Sequence, residues 1–325
     1  METQTSSQHK LPGRYFIGQN EIAEVLGITS NAVSIAASKL GLQSQRLGKR
    51  ATFSSAAART FFEERAFKYP REIISFQMLK GGSTKTSSAF NLAVRLNQYG
   101  ARILAIDLDM QGNLTDAFGI EVTNGPVFYH VAAGEADIKE AIHKVSENLD
   151  LIPSDFENST LDFLITSKRF DLRRFIANAL AKVRDSYDFI IIDCNPALSS
   201  LNISIALSCD RIVIPVNPDK FAAKGLKKTI EELERVSKEF GQPINYNLLY
   251  TLYDGREAIS QKYLIEYGTE YKDRLIPTII KRNADVKNAL DQKKSIFDFP
   301  KAPAREDFDL LARGILGFSP KGGNS

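Results

Sequence analysis

One stretch constrains this chain more than any other: Lys80-Gly81-Gly82-Ser83-Thr84-Lys85-Thr86-Ser87. It stands between an apolar, β-branched run, Ile73-Ile74-Ser75-Phe76, and a segment of helical period from Ala89 to Leu96. A glycine loop ending in Lys-Thr between a strand and a helix is built to cradle phosphate. The glycines let backbone N–H groups approach phosphate oxygens, and the helix N-terminus adds partial positive charge. Gly81, Gly82, Ser83, Thr84, Lys85, Thr86 and Ser87 are therefore the first candidates for nucleotide binding. Lys85 is placed to reach the β- and γ-phosphates, and the Thr86 hydroxyl to hold Mg²⁺.

The loop departs from the common G-x-x-x-x-G-K-[ST] form at three positions. Leu79 stands where the first glycine is usual, and Lys80 adds a second lysine to a loop that already has Lys85. Thr84 replaces the glycine before Lys85. A β-branched residue is costly at positive φ. Either the phosphate contacts differ there or the backbone stays at negative φ.

Further strands follow. Arg102-Ile103-Leu104-Ala105-Ile106-Asp107 reads as a buried parallel strand running into Asp107-Leu108-Asp109-Met110-Gln111-Gly112-Asn113. Carboxylates at a strand's C-terminal end lie where α/β proteins bind ligands. Asp109 could orient or deprotonate an attacking water, with Asp107 beside the metal shell. Phe189-Ile190-Ile191-Ile192-Asp193 makes a Walker B strand, its carboxylate at Mg²⁺. Residues 211–216 form another central strand, and Asn217 and Pro218 at its end join the nucleotide-binding set. More strands are expected at 149–152, 246–252 and 276–280, with helices between them, for example 171–184 and 225–240. This alternation predicts an α/β fold: a doubly wound, mostly parallel sheet of P-loop NTPase type over 71–320.

The N-terminal part differs. Through Arg71 there are ten Lys/Arg against five Asp/Glu, whereas the remainder carries 32 against 34. That asymmetry fits a nucleic-acid-binding appendage. Residues 1–13 read as a disordered lead. A short helix ends at Gly27, Thr29 or Ser30 caps a second helix burying Val33, Ala36 and Leu40, and Arg46 to Arg50 form a basic wing before a strand at 51–53. Ser54 or Ser55 caps a third helix through about Phe67, and Tyr69-Pro70 is the expected linker. This is the grammar of a winged helix-turn-helix over 14–70. Its second helix would turn Ser30, Asn31, Ser34 and Lys39 to DNA, and its wing Lys49 and Arg50 to phosphates. Lys281, Arg282, Lys287, Lys293 and Lys294 (with Lys301) form a second basic set, expected on an amphipathic helix with one basic face and suited to non-specific DNA.

Three ordered motifs carry a resemblance: Lys-Gly-Gly-x-x-Lys-Thr-Ser from 80, Asp-Leu-Asp-Met-Gln-Gly-Asn-Leu-Thr from 107, and Phe-Ile-Ile-Ile-Asp to 193. With Leu151-Ile152-Pro153-Ser154, the segment from Ile214 to Leu226, and Thr251-Leu252-Tyr253-Asp254-Gly255-Arg256, residues 72–318 resemble the ParA family of DNA-partition ATPases, relatives of MinD with a deviant Walker A loop. The added N-terminal unit is similar to the plasmid branch that also represses its own operon. The resemblance implies ATP/ADP and Mg²⁺ as cofactors and a homodimer in which Lys80 crosses to the partner's nucleotide. Lys80, Lys85 and Asp109 would serve hydrolysis, and Thr86, Asp107 and Asp193 the metal. It further implies non-specific DNA, operator DNA and a ParB-like centromere-binding protein as partners. Asn195, and Lys281-Arg282-Asn283 where "PRN" is usual, depart from the family pattern.

The other classes weighed are a P-loop amidoligase or synthetase, an iron–sulfur electron donor, and an ATP-regulated repressor without a segregation role. Cys194 and Cys209 read as core thiols, which disfavours the second. His9, His130 and His143 show no metal spacing. No apolar run reaches the ~18 residues of a membrane span, and the polar N-terminus lacks a secretory core. A cytoplasmic, nucleoid-associated protein is expected.

Overall fold

A computed structural model of the protein describes residues 13–82, 84–123 and 125–318. Except for Gly13, the expected disordered lead lies outside them, as does Ser83.

In the N-terminal unit, β1 (Phe16–Gly18) leads into α1 (Gln19–Leu26) and α2 (Ser30–Lys39). The hairpin β2 (Gln45–Leu47) and β3 (Arg50–Ser54) and then α3 (Ser55–Glu63) follow. The strands form an antiparallel sheet in the order β1-β3-β2. Local chemistry sets the boundaries. Gly27 takes φ 68° and stops α1, and the Thr29 hydroxyl accepts from Ala32 N to start α2. Two boundaries depart from expectation. β1 carries too short a pattern to be read from sequence. α3 stops at Glu63 rather than near Phe67, because the chain turns at Ala66 with φ 60°.

The larger part alternates strand and helix: β4 (Glu72–Phe76), α4 (Lys85–Gln98), β5 (Ile103–Asp107), α5 (Asn113–Phe118), α6 (Phe128–Ala133), β6 (His143–Ser146), β7 (Leu149–Ile152), α7 (Leu161–Ser167), α8 (Phe175–Leu180) and β8 (Phe189–Asp193). It continues through α9 (Ser200–Ser208), β9 (Arg211–Val216), α10 (Lys220–Phe240), β10 (Tyr246–Tyr253), α11 (Ala258–Glu270), β11 (Leu275–Lys281), α12 (Ala284–Asp291) and α13 (Ala304–Leu316). Among the described residues the sheet has eight strands in the order β11-β10-β9-β4-β8-β5-β7-β6. All neighbours are parallel except the edge strand β6, a four-residue strand not foreseen from sequence. The helix expected at 171–184 is regular only over α8, with turns on both sides, whereas α10 starts at Lys220, five residues before the expected start.

β4 lies between β8 and β9, and the chain winds outward from it in both directions. The crevice at its carboxyl end is therefore the switch point where such sheets bind ligands. Register puts Asp107 of β5 directly beside Asp193 of β8 at that edge.

Helix α4 leaves this crevice and is buried on every side. Most of its polar residues are matched, as buried polar groups usually are, the Ser88 hydroxyl being an exception. Asn91 accepts from Ile296 N at 2.9 Å. Asn97 donates to the Ser55 hydroxyl at 3.1 Å, and Gln98 to Arg14 O at 2.6 Å. Fully buried Arg95 meets Glu21 of α1 at 2.9 Å and Asp309 of α13 at 2.5 Å. Burial works against its charge, and Tyr99, Glu21 and Asp309 more than offset that. The N-terminal unit is thus packed on α4, in one hydrophobic cluster holding Ile22, Phe53 and Phe61 with Phe90 and Leu92. Tyr69, in the expected linker, is itself packed, donating to Tyr99 O at 2.7 Å.

Arg95→Ala removes the buried guanidinium from the centre of this joint, leaving Asp309 to Arg313 and Tyr99 and Glu21 to Arg305. Breaking a buried pair costs about 3–5 kcal/mol. Denaturant unfolding should show a loss of that size, and a loss below about 1 kcal/mol would mean that the network does not hold the joint.

Candidate active site

The site begins where β4 ends. Lys85 and Thr86 start α4, whose dipole points at the loop. The Thr86 hydroxyl donates to Asp193 Oδ2 at 2.6 Å. Asp193 Oδ1 is buried and has no hydrogen-bond partner. Burial, reinforced by the neighbouring Asp107, pushes the Asp193 carboxyl well above the usual carboxylate range. An orphaned, buried carboxylate oxygen beside a threonine hydroxyl fits a divalent cation, which would supply the missing partner. Mg²⁺ is commonly held by one or two protein groups plus substrate phosphates.

Burial raises the Asp107 carboxyl too, partly countered by its donors. Asp107 accepts from Thr115 N and the Thr115 hydroxyl at 2.8 Å each, and from Asp109 N at 3.2 Å. Its oxygens thus fix the turn that carries Asp109. Asp109 lines the cleft beside the loop. Burial lowers the Lys85 ammonium pKa, with Asp193 pulling it back up.

The cleft measures about 580 Å³. Gly81, Gly82, Thr84, Lys85, Thr86, Ser87 and Asp109 line it, as expected from sequence. Asn217 stands behind the loop, donating to Gly82 O at 3.1 Å, while Pro218 follows it in the turn before α10. The opposite wall was not foreseen: Asn113, Asp116 and Pro196, with Lys287, Leu290 and Asp291 of α12. The unusual Lys281-Arg282-Asn283 was the available signal, because Asn283 caps α12 and so sets where that wall begins.

Two loop residues carry the departures noted in the sequence. Thr84 does take the left-handed conformation, φ 64° and ψ 16°, which resolves the question of its backbone. Such a conformation costs about 1–3 kcal/mol for a non-glycine residue. Lys80 does not point into its own phosphate cradle. Its Nζ lies 2.8 Å from both carboxylate oxygens of Asp219, the residue that caps α10.

The basic residues sort differently from expectation. Asn31, Ser34 and Lys39 are exposed on α2, and Lys49 and Arg50 at the β2–β3 turn. The Ser30 hydroxyl instead accepts from Gln19 Nε2 at 3.0 Å, tying α1 to α2. The single basic helix face is not formed. α12 spans only Ala284–Asp291, so Lys281 and Arg282 precede it and Lys293 and Lys294 follow it. Lys281 pairs with Asp307 at 3.0 Å, Arg282 with Glu257 at 2.8 Å and Lys293 with Asp116 at 2.7 Å. Lys294 donates to Gln292 Oε1 at 3.2 Å, and Lys287 lines the nucleotide cleft. Cys194 is fully buried and Cys209 packs at 3.4 Å from the Ser75 hydroxyl, both thiols pushed up by burial.

A lysine–threonine phosphate loop, a strand-end carboxylate on the threonine hydroxyl and a doubly wound sheet define a P-loop nucleotide hydrolase. A family model described as an AAA domain matches residues 71–248. The chromosome-partitioning ATPase Soj of Treponema pallidum is 31% identical over 241 residues, 73% of this chain and 94% of its own length. The chain belongs to the ParA/Soj family of partition ATPases and is an ATPase. Among solved structures, the ATP complex of a Cyanothece McdA variant matches 78% of this chain and 100% of its own, with a TM-score of 0.70 at 22% identity. A cobyrinic acid a,c-diamide synthase from Mycobacterium smegmatis with bound ADP and magnesium reaches a TM-score of 0.65 at 23% identity, covering 76% of this chain and 94% of its own. Likenesses this distant show the fold alone, since one fold serves a synthase and a non-synthase alike.

Asp193→Asn removes the proposed cation's partner. Mg²⁺-dependent ATP hydrolysis should fall at least ~100-fold, while the thermal midpoint of the nucleotide-free protein rises at pH above about 8, where the raised Asp193 carboxyl ionises and a desolvated charge is lost in the variant. Phosphate release and a thermal scan check both; retained hydrolysis would remove Asp193 from the site.

Proposed function

We propose that this ATPase is a nucleotide-gated DNA-partition protein, and the observation that carries the reading is the placement of Lys80. It sits at the rim of the crevice, 30% exposed, held by Asp219 rather than by its own loop. A second copy's triphosphate would offer that ammonium a stronger partner across a closed interface. The surrounding rim supports a docking face for such a copy. The segments that follow β5, β7, β8 and β9 each expose a large apolar side chain: Met110, Phe156, Leu198 and, in the first turn of α10, Phe221. Exposed apolar side chains gathered on one edge are the usual mark of an interface.

In this reading Lys85 and the loop amides bind the phosphates, and Thr86 and Asp193 hold Mg²⁺. The cation, when bound, neutralises developing phosphate charge. Asp109 orients the attacking water and Asp107 holds the turn beneath it. The closed dimer binds DNA non-specifically, and a ParB-like centromere-binding partner stimulates hydrolysis and release. Residues 14–70 act as a winged helix-turn-helix on operator DNA, using exposed Asn31, Ser34 and Lys39 on α2 and Lys49 and Arg50 at the hairpin turn. The non-specific surface needs cations free of partners, so Lys281, Arg282 and Lys293 would contribute only after their ion pairs open.

The test is DNA binding with no nucleotide, with ADP and with a non-hydrolysable ATP analogue, on random duplex and on the chain's own promoter DNA. Random-DNA affinity should rise at least ~10-fold with the analogue and fall steeply with salt. An affinity indifferent to nucleotide would sink the switch. Light scattering tests the lysine. Lys80→Gln should bind nucleotide yet stay monomeric with ATP, whereas Lys85→Gln should lose nucleotide binding. Asp219→Asn frees Lys80; since exposed pairs are worth about 0–1 kcal/mol, dimerisation should half-saturate at ATP concentrations up to ~5-fold lower.

A further inference from the structure

Thr84 poses a problem that the rest of the molecule solves. It occupies the left-handed region at φ 64°, immediately before Lys85, where a glycine would sit without strain. Its neighbours on the far side of the loop are Thr251 and Asn217. The Thr84 hydroxyl donates to Thr251 Oγ1 at 3.0 Å. The Thr251 hydroxyl donates in turn to Asn217 Oδ1 at 2.8 Å, and Asn217 Nδ2 donates to Gly82 O at 3.1 Å. A carbonyl cannot donate, so Asn217 must present its amide nitrogen to Gly82 and its oxygen to Thr251; that oxygen is the nearer acceptor for the Thr251 hydroxyl, Val216 O lying at 3.3 Å. The chain of bonds therefore leaves the loop at residue 84 and returns to it at residue 82.

The fold places this brace deliberately at the end of two strands. β9 and β10 pair in register up to Val216 and Tyr250, so Asn217 and Thr251 are the next residue on each. Immediately after Thr251, Leu252 takes φ 57° and the β10–β11 register shifts between Thr251 and Tyr253. That bulge ends the regular pairing beside the loop, as bulges next to active sites do. Thr251 is 1% exposed and Asn217 5%, so the brace lies inside the protein rather than on its surface.

We propose that Thr251, through Asn217 and Thr84, is a positioning residue for nucleotide binding: it holds the phosphate loop with Thr84 in its left-handed conformation, and it is required because residue 84 is not glycine. Without the brace, Thr84 relaxes toward negative φ, and nucleotide must restore the loop on binding.

The proposal rests on the phosphate-loop reading and is tested by a double-mutant square with a fluorescent ADP analogue and Mg²⁺. Thr251→Val should weaken binding about tenfold in the native background. In the Thr84→Gly background the same change should cost less than about twofold, since glycine keeps the conformation unaided. Thr251→Ser keeps the hydroxyl and should restore binding to within about twofold of the native chain, which guards against mere misfolding of the valine variant. A valine effect of equal size in both backgrounds overturns the proposal, as does no effect in either, or a serine variant as weak as the valine one. Failure of the native chain to bind the analogue would refute the phosphate-loop reading instead.

Discussion

Helix α4 is the element on which the structure depends. Its first residues are Lys85 and Thr86, proposed to bind phosphate, and its last turn carries Arg95, Asn97 and Gln98, the residues that receive the N-terminal unit. A helix that must serve both ends cannot be simply amphipathic. It is buried all round, and its long polar side chains survive burial because Asn91, Arg95, Asn97 and Gln98 each have a partner of the right kind. Arg95 is the extreme case, a guanidinium at 1% exposure held by carboxylates from α1 and α13. Such a network adds less net stability than its number of contacts implies, because desolvation opposes it. What it does fix is geometry: it leaves one way to seat α1 against the ATPase core.

The same logic runs in reverse at the catalytic end. Asp193 and Asp107 stand side by side by strict β register, both buried and both pushed up by burial. Asp107 is supplied with donors by Thr115 and Asp109, but one oxygen of Asp193 is left without a partner. An unpaired buried polar atom is destabilising, so its persistence fits the proposed cation, a partner that would come and go with nucleotide.

Much of this was legible from local patterns. The phosphate loop, the strands ending in Asp107 and Asp193, and the caps at Gly27 and Thr29 are written in short windows, where periodicity and turn chemistry act directly. The edge strand β6 was missed because four residues with Lys144 exposed carry little alternation. The single basic face failed for a countable reason: α12 is eight residues long, and the lysines assigned to it flank it. Least legible were contacts made by topology. Lys80 and Asp219 are 139 residues apart, and Thr84 and Thr251 are 167 apart. Sequence showed that a second lysine and a misplaced threonine needed explaining; only the sheet order brings their partners to them.

Fold alone does not separate a partition ATPase from a synthase, since both share this sheet and loop. The separation lies in what the crevice is built to receive. A synthase needs a second substrate pocket walled by its own chain. Here the crevice has the phosphate loop on one side and Asn113, Asp116, Pro196 and α12 on the other, and its rim is apolar side chains plus a lysine tethered by a single half-buried carboxylate. Tethering matters physically. A free lysine beside Lys85 would raise the positive potential of the empty loop and attract phosphate in cis. Paired with Asp219, the same charge is hidden until a competing anion approaches from outside, so in the proposed dimer its release would report the arrival of another loaded molecule rather than the loading of its own site.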